Sequence, residues 1–533
     1  MPRILVVEPV AQAGIDLLAG AHEAVVRLHL PRGDLLAALA EEGGWDALVV
    51  RSQTRVDAEL LAAAAPRLSV VGVASVGTDR IDLAAATRAG VMVVNAPTGN
   101  TIAAAEHTMA LMLALLRRIP SADASVRRGE WERAGYIGAE LRHRTLGIIG
   151  LGKIGKAVAR RAAAFEMRVM AHDPFLTAEQ ATEHSARLVG LPELLGRADV
   201  ISVHVPLTPQ TRGLIGQAQI EAMKPGAVIL NVARGGLVDE AALASALHSG
   251  HLGGAAVDVF ATEPMPADSP LRDAPNTILT PHLGASTAEA QDRVGVEMAE
   301  QLLLALAGVT PPYAVNAPSI ALEVAPQLRP YVEVGRRLAI LARQLSAGPF
   351  DSVGIGYAGE IAAWDGAPIR AAALAGLLES ATDQRVNAVN ADIVARERGL
   401  TVHETRTDAS EPWTSLVSLE LGEGEGRVTL AGSSAHGRPR LASLGDFAID
   451  AELGGTILVT RHHDRPGIVG AVGTALAGAG VNISSLELSR LSAAGEALMF
   501  VSVDEPISDA VLDRLRAVPG MIEARVVALP PIS

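Results

Sequence analysis

The sequence of 533 residues contains no cysteine, which excludes disulfides, thiolate metal sites and a thiol nucleophile. It also lacks any uncharged apolar stretch long enough to span a membrane. Residues 1–8 form one short apolar run that turns acidic, without the layout of a signal peptide. Basic residues are in deficit: 45 Lys and Arg against 59 Asp and Glu give a formal charge of −14. That balance disfavours nucleic acid or an anionic membrane as partner. An anionic small substrate stays open, because a local cluster of Arg overrides the global sign. What is present is a globular composition, 49% hydrophobic and 20% charged, on a chain too long for one core. About three or four domains are therefore expected, in a cytoplasmic enzyme.

Short β-branched runs at 4–7, 47–50, 70–74 and 91–95 alternate with Ala/Leu-rich stretches, the rhythm of βαβ units and a parallel sheet. Residues 101–118 read as a buried or interdomain helix. A second series runs through 146–149, 168–171, 200–203, 227–231, 254–257 and 277–279, enough strands for one complete doubly wound dinucleotide domain. A helix over 287–306 would return toward the first domain, and Pro311, Pro312 and Pro318 mark a linker. Residues 320–450 hold helix-like (330–346) and strand-like (353–357) segments but no chemical motif. From Thr456 onward the order reads βαββαβ. The fold class is α/β throughout.

Gly150-Leu-Gly152-Lys-Ile-Gly155 follows a strand and opens a helix, and Asp173 ends the next strand. The first glycine permits a tight turn, the second lets backbone reach a pyrophosphate, and the third lets helix and strand pack closely. The helix N-terminus stabilises phosphate charge. Asp173 would accept hydrogen bonds from ribose hydroxyls and repel a 2′-phosphate, with no Arg following it. NAD is the expected cofactor, and no metal is expected.

Reduction of a keto acid by hydride also needs a cation for the substrate carboxylate, a proton donor at the carbonyl, and a group that tunes the donor. Arg234, Glu263 and His282 each follow a strand of the second series, where loops of an open α/β sheet form the ligand crevice. An Arg fork grips a carboxylate bidentately. His exchanges protons near neutral pH, and a neighbouring Glu favours its imidazolium form. Singly, each has a plain reading as a solvated charge or structural His. Together, on successive loops after a dinucleotide fingerprint, they point to catalysis.

Segments 150–155, 232–238, 258–264 and 281–285 resemble the D-isomer-specific 2-hydroxyacid dehydrogenase family over roughly residues 1–315. The resemblance implies Arg234 as substrate clamp, Glu263 as the acid that tunes the His, and His282 as general acid/base. It implies cofactor contacts at Gly150, Gly152, Lys153, Ile154, Gly155, Asp173, Val232, Ala233, Asp258, Leu283, Gly284 and Ala285. His462-His-Asp464-Arg-Pro-Gly467 and Asn482-Ile483 resemble the ACT domain, which implies an amino-acid effector held by His462, Asp464, Asn482 and Ile483. The combination resembles the long-type D-3-phosphoglycerate dehydrogenases. That branch oxidises 3-phosphoglycerate to 3-phosphooxypyruvate at the first step of serine synthesis, commonly with L-serine as feedback ligand.

The implied substrate contacts are Arg51, Ser52, Val76 and Gly77, with Arg133 reaching across a dimer. The implied division is a flavodoxin-like substrate domain (1–98 and 287–315), a Rossmann dinucleotide domain (99–286), a mixed α/β intervening domain (316–453) and an ACT domain (454–533). A homotetramer with two kinds of interface follows from the same resemblance. Three places depart from the branch. Residues 73–80 replace an Arg-Ala-Gly-like stretch, with Arg80 where Asn is common; Gly99-Asn100-Thr101 replaces a more usual Ser-Asn start; and His462 stands where an aromatic hydroxyl is often found. The alternatives are a glyoxylate or hydroxypyruvate reductase, which usually lacks the C-terminal half, and an NAD(H)-sensing corepressor-like binding protein.

Overall fold

In the computed structural model, which describes residues 1–320, 323–346, 348–379, 381–382 and 385–532, the chain builds four sheets. The first is all parallel, in the order 23–26, 3–6, 47–50, 70–73, 92–95. Its inner strands, such as Ala47–Val50 and Val70–Val73, are buried at every residue. This explains why they read as unbroken apolar runs and not as alternating ones. The order is flavodoxin-like.

A late helix, Ala288–Leu306, completes this first unit. Thr287 caps it by accepting from Ala290 N at 3.1 Å. The helix lies so close to the sheet that a Cβ on Gly72 would meet Met298 Sδ at 2.6 Å. A Cβ on Gly14 would likewise meet Gly295 O at 2.6 Å. The helix Ala288–Leu306 thus packs on the sheet formed by the first 95 or so residues. Asn316 ties the return by accepting from Val93 N (2.8 Å) and donating to Val91 O (3.0 Å).

The second sheet is also parallel, in the order 277–279, 254–257, 228–231, 200–203, 145–149, 168–172, 187–188. Read from its far edge this is the doubly wound order, with the switch point between Thr145–Ile149 and Val200–Val203. In these two parallel sheets, two strands escape the sequence reading. Glu23–Val26 and Arg187–Leu188 are edge strands, and neither is buried at any residue. With little surface to bury, such strands carry no apolar run to detect.

The third sheet runs 401–407, 352–359, 415–421, 428–435, 438–444, 447–452, with the helix Ala325–Leu345 packed on it. The fourth, 483–490, 496–503, 455–463, 521–529, follows the βαββαβ order expected from Thr456 onward. Its central strand alternates cleanly. Ile457 and Val459 join the core around the helix Ala325–Leu345, while Leu458 joins the core under the helices Ile468–Ala477 and Asp509–Arg516. Buried Arg337 fastens the two units together, donating to Leu453 O (2.6 Å), Pro530 O (2.6 Å) and Pro531 O (3.0 Å).

Candidate active site

The dinucleotide turn is formed as its glycines require. Gly150 has φ +93°, and a Cβ there would meet His204 O at 2.7 Å. A Cβ on Gly155 would meet Gly150 O at 2.2 Å, whereas one on Gly152 would meet nothing within 4 Å. The turn is thus closed behind and open above, a cradle that fits a pyrophosphate over the N-terminus of the helix Lys153–Ala164. Asp173 accepts from Leu151 N (2.9 Å) and Phe175 N (3.0 Å), which fixes its carboxylate beside the turn with further lone pairs free for ribose hydroxyls. Beneath lies His204, which burial pushes down to about 4, so it is neutral near pH 7. Its Nε2 lies 2.8 Å from Ser202 Oγ.

At the other end of the crevice, Asp258 is fully buried. Its carboxylate accepts from Thr280 Oγ (2.5 Å), Leu283 N (2.8 Å) and Gly284 N (2.9 Å), with His107 Nε2 at 3.2 Å. Burial alone would raise its pKa, but His107, Thr280 and Leu283 outweigh that and hold it below the usual carboxylate value. Asp258 therefore fixes the backbone at Leu283 and Gly284, and a Cβ on Gly284 would press on both Asp258 Oδ2 and Val232 Cγ1 at 3.3 Å. Val232 and Ala233 follow the strand Val228–Asn231 on the same side.

The three residues expected to be catalytic, Arg234, Glu263 and His282, line one cavity. Glu263 accepts from Phe260 N through Oε1 (3.1 Å) and faces His282 Nδ1 through Oε2 (2.9 Å). His282 holds a left-handed backbone, φ +56°, anchored by its N–H to Asp258 O at 2.9 Å. That uncommon conformation for a residue with a side chain is the kind found where a site dictates geometry. Arg234 sits on a loop shaped by Asn231, whose Nδ2 donates to Arg234 O (3.0 Å) and whose Oδ1 accepts from Ala233 N (3.2 Å). Gly235 lets that loop touch the next one, because a Cβ there would collide with Phe260 O. Arg234 Nη1 donates to Ala233 O (2.8 Å), and its Nε lies 3.2 Å from Asp79 Oδ2.

Arg234, Glu263 and His282 share a cavity of about 420 Å³ with Arg51, Ser52, Val76 and Gly77 from the first unit. Asp79, Arg80 and Asn100 line it too. Arg133 is exposed and lies outside this cavity. Sequence reasoning passed over several groups. Asp79 engages the clamp, and His107 faces Asp258. Asn100 carries a buried Oδ1 with no hydrogen-bond partner among the described residues. Glu8 accepts from Ser52 N (2.9 Å), Gln53 N (3.0 Å) and Thr54 N (2.7 Å). A His on the apolar face of the 101–118 segment was the one available signal among these.

The C-terminal groups are arranged differently. Asp464 pairs with Arg490 Nη1 at 3.1 Å, and Asn482 Nδ2 donates to Asp504 Oδ2 at 2.7 Å. His462 is buried, 2% exposed, with Nδ1 3.4 Å from Thr460 Oγ. Ile483 opens the edge strand Ile483–Arg490.

Residues 109–284 match the model of the D-isomer specific 2-hydroxyacid dehydrogenase NAD binding domain. Residues 327–445 match the D-3-phosphoglycerate dehydrogenase intervening domain, and 456–520 match the ACT domain. The chain is 40% identical over 531 residues to a D-3-phosphoglycerate dehydrogenase of Synechocystis sp., covering 99% of this chain and 95% of that one. It is 41% identical over 532 residues to the enzyme of that name from Mycobacterium tuberculosis, covering 99% of each. Among solved structures, a D-lactate dehydrogenase from Aquifex aeolicus in complex with NAD and lactic acid aligns with TM-score 0.52 at 28% identity. That alignment covers 60% of this chain and 100% of the other. A glyoxylate reductase from Paecilomyes thermophila aligns with TM-score 0.55 at 30% identity, covering 59% and 98%.

Proposed function

The chain belongs to the D-3-phosphoglycerate dehydrogenase family, and from that premise we propose that it oxidises 3-phospho-D-glycerate to 3-phosphooxypyruvate, the entry to L-serine synthesis. The observation that carries the chemistry is the His282–Glu263 pair, 2.9 Å apart in the same cavity as Arg234 and Arg51. NAD, when bound, supplies the hydride acceptor. The chain's own residues do the rest. With Nδ1–H committed to Glu263, His282 keeps Nε2 free to take the hydroxyl proton as C2 loses hydride and its C–O bond becomes a carbonyl. Arg234 holds the substrate carboxylate, in exchange for the Asp79 carboxylate it now faces. Asp258 orders the backbone at Leu283 and Gly284 under the reacting end.

The cleft residues alone also suit a glyoxylate or hydroxypyruvate reductase. The two domains beyond residue 320 favour the serine-pathway enzyme. They support L-serine as an effector at the ACT unit. A homotetramer is part of the proposal, with one interface supported by exposed Trp131 (79%) and Ile137 (78%) beside Arg133. A cytoplasmic setting completes it; among the described residues no helix is long and apolar enough to cross a membrane. Steady-state NADH oxidation with 3-phosphooxypyruvate, with and without millimolar L-serine, tests the reading. Turnover suppressed by serine is the expected result. Turnover only with glyoxylate or hydroxypyruvate would overturn the substrate.

A further inference from the structure

We infer that Arg80 is the second phosphate-holding cation of the cleft, acting with Arg51 to set the preference for a phosphorylated over an unphosphorylated three-carbon acid. This rests on the substrate reading above and adds a residue to it.

The cleft has a polarity. Its reacting end lies on the dinucleotide-binding half, where Arg234, Glu263 and His282 meet. Three arginines line the cavity, and Arg234 is engaged by Asp79. Among the described residues, Arg51 and Arg80 have no carboxylate partner. They stand on the loops after Ala47–Val50 and Val70–Val73, which are neighbouring parallel strands. The two loops therefore open at the same sheet end, and Ser75 Oγ donates to Arg51 O at 3.3 Å to join them.

A phosphate monoester carries close to two negative charges near neutral pH. Two guanidinium forks suit such a group better than one, because each can bond two oxygens. Val73, the strand residue nearest this loop, is buried and apolar and offers no charge to such a group.

Two plainer roles for Arg80 are already filled. The helix Leu83–Arg88 is capped by Asp82, which accepts from Ala85 N at 2.9 Å. The neighbouring acid, Asp79, faces Arg234 and leaves Arg80 unneutralised. Meanwhile the Arg80 backbone is fixed, its carbonyl accepting from Val56 N at 3.0 Å beside the Val56–Ile81 bridge. A free cation on an anchored backbone at the cavity wall is the arrangement a fixed anion site needs.

The test measures kcat/KM for 3-phosphooxypyruvate and for hydroxypyruvate in wild type, Arg80→Asn and Arg80→Lys. The expected result is a wild-type preference for the phosphorylated acid that falls roughly 10- to 100-fold in Arg80→Asn and is partly restored in Arg80→Lys. A preference kept intact in Arg80→Asn would overturn the role of Arg80 alone. Equal losses on both acids would also overturn it, since a merely structural residue does not sense the phosphate. A wild type indifferent to the phosphate would instead overturn the substrate reading, and this inference with it.

Discussion

The molecule carries two hydrogen-bonded side-chain pairs, His282 with Glu263 and Arg490 with Asp464, at the sites where small ligands are expected, and they are built to opposite ends. In the cleft, Glu263 takes only Nδ1 of His282 and leaves the other ring nitrogen open. In the C-terminal unit, Arg490 and Ala494 N both address Asp464 Oδ2, so that oxygen of the acid expected to meet an effector is already held by its own chain. One pair leaves a ring nitrogen outside the contact; in the other, a ligand binding at Oδ2 would have to displace Arg490. The first arrangement suits catalysis, which gains from groups fixed before the transition state. The second suits a sensor, where a ligand works by replacing one set of contacts with another.

The largest test of that contrast is His282→Ala. Removal of a positioned acid/base group should lower kcat/KM by roughly 100- to 10,000-fold. NADH binding, followed by fluorescence, should survive, because the cradle at Gly150–Gly155 and Asp173 lies at the other end of the crevice. Parallel loss of NADH binding would mean that His282 shapes the cofactor site. Arg234→Lys comes next. A point charge cannot reproduce a fork that now bonds Ala233 O and faces Asp79 at once, so KM for the keto acid should rise by roughly 10- to 100-fold. A Lys variant close to wild type would mean that Arg234 acts only as a charge.

How far the sequence reached follows from what periodicity can report. Strands such as Ala47–Val50 are buried on both faces and announce themselves as β-branched runs. Gly150 and Gly155 announce a turn whose backbone leaves no room for a side chain. The Thr401–Thr407 strand, by contrast, is a polar sheet edge with no buried residue. Its neighbour Ser352–Gly359 mixes glycine with apolar residues; it was read as strand-like at 353–357, but the strands that follow it in that middle region were not read. The trio was legible because each member follows a strand. Asp79 and Glu8 were not, because their partners lie far along the chain and nothing in their local sequence says so.

Glu8 gives a third, smaller test on the cleft side. Burial raises its pKa, but the N–H donors of Thr54, Ser52 and Gln53 outweigh burial and leave it below its usual value. A carboxyl with a lowered folded-state pKa contributes stability that is complete above about pH 4.5, the ordinary value. That contribution is lost as pH falls through the lowered one. Glu8→Gln should therefore flatten the acid limb of a thermal-denaturation series. Because the same donors hold the loop bearing Arg51, KM for the phosphorylated acid should rise by about 3- to 10-fold. An unchanged KM beside a flattened acid limb would confine Glu8 to stability.

The smallest expected effect lies in the C-terminal unit and bears most directly on the contrast. Arg490 is 61% exposed in its pair with Asp464 at 26%, and exposed pairs of this kind are worth about 0–1 kcal/mol. If an amino-acid ammonium must take the place of Arg490, then Arg490→Ala should tighten L-serine binding by only ~2- to 5-fold, read by titration calorimetry on the whole chain. High salt should narrow the gap between variant and wild type, since it screens the same pair. Weaker binding in Arg490→Ala would reverse the picture. The guanidinium would then be a ligand for the effector carboxylate, and the terminal site would be prepared in advance just as the cleft is.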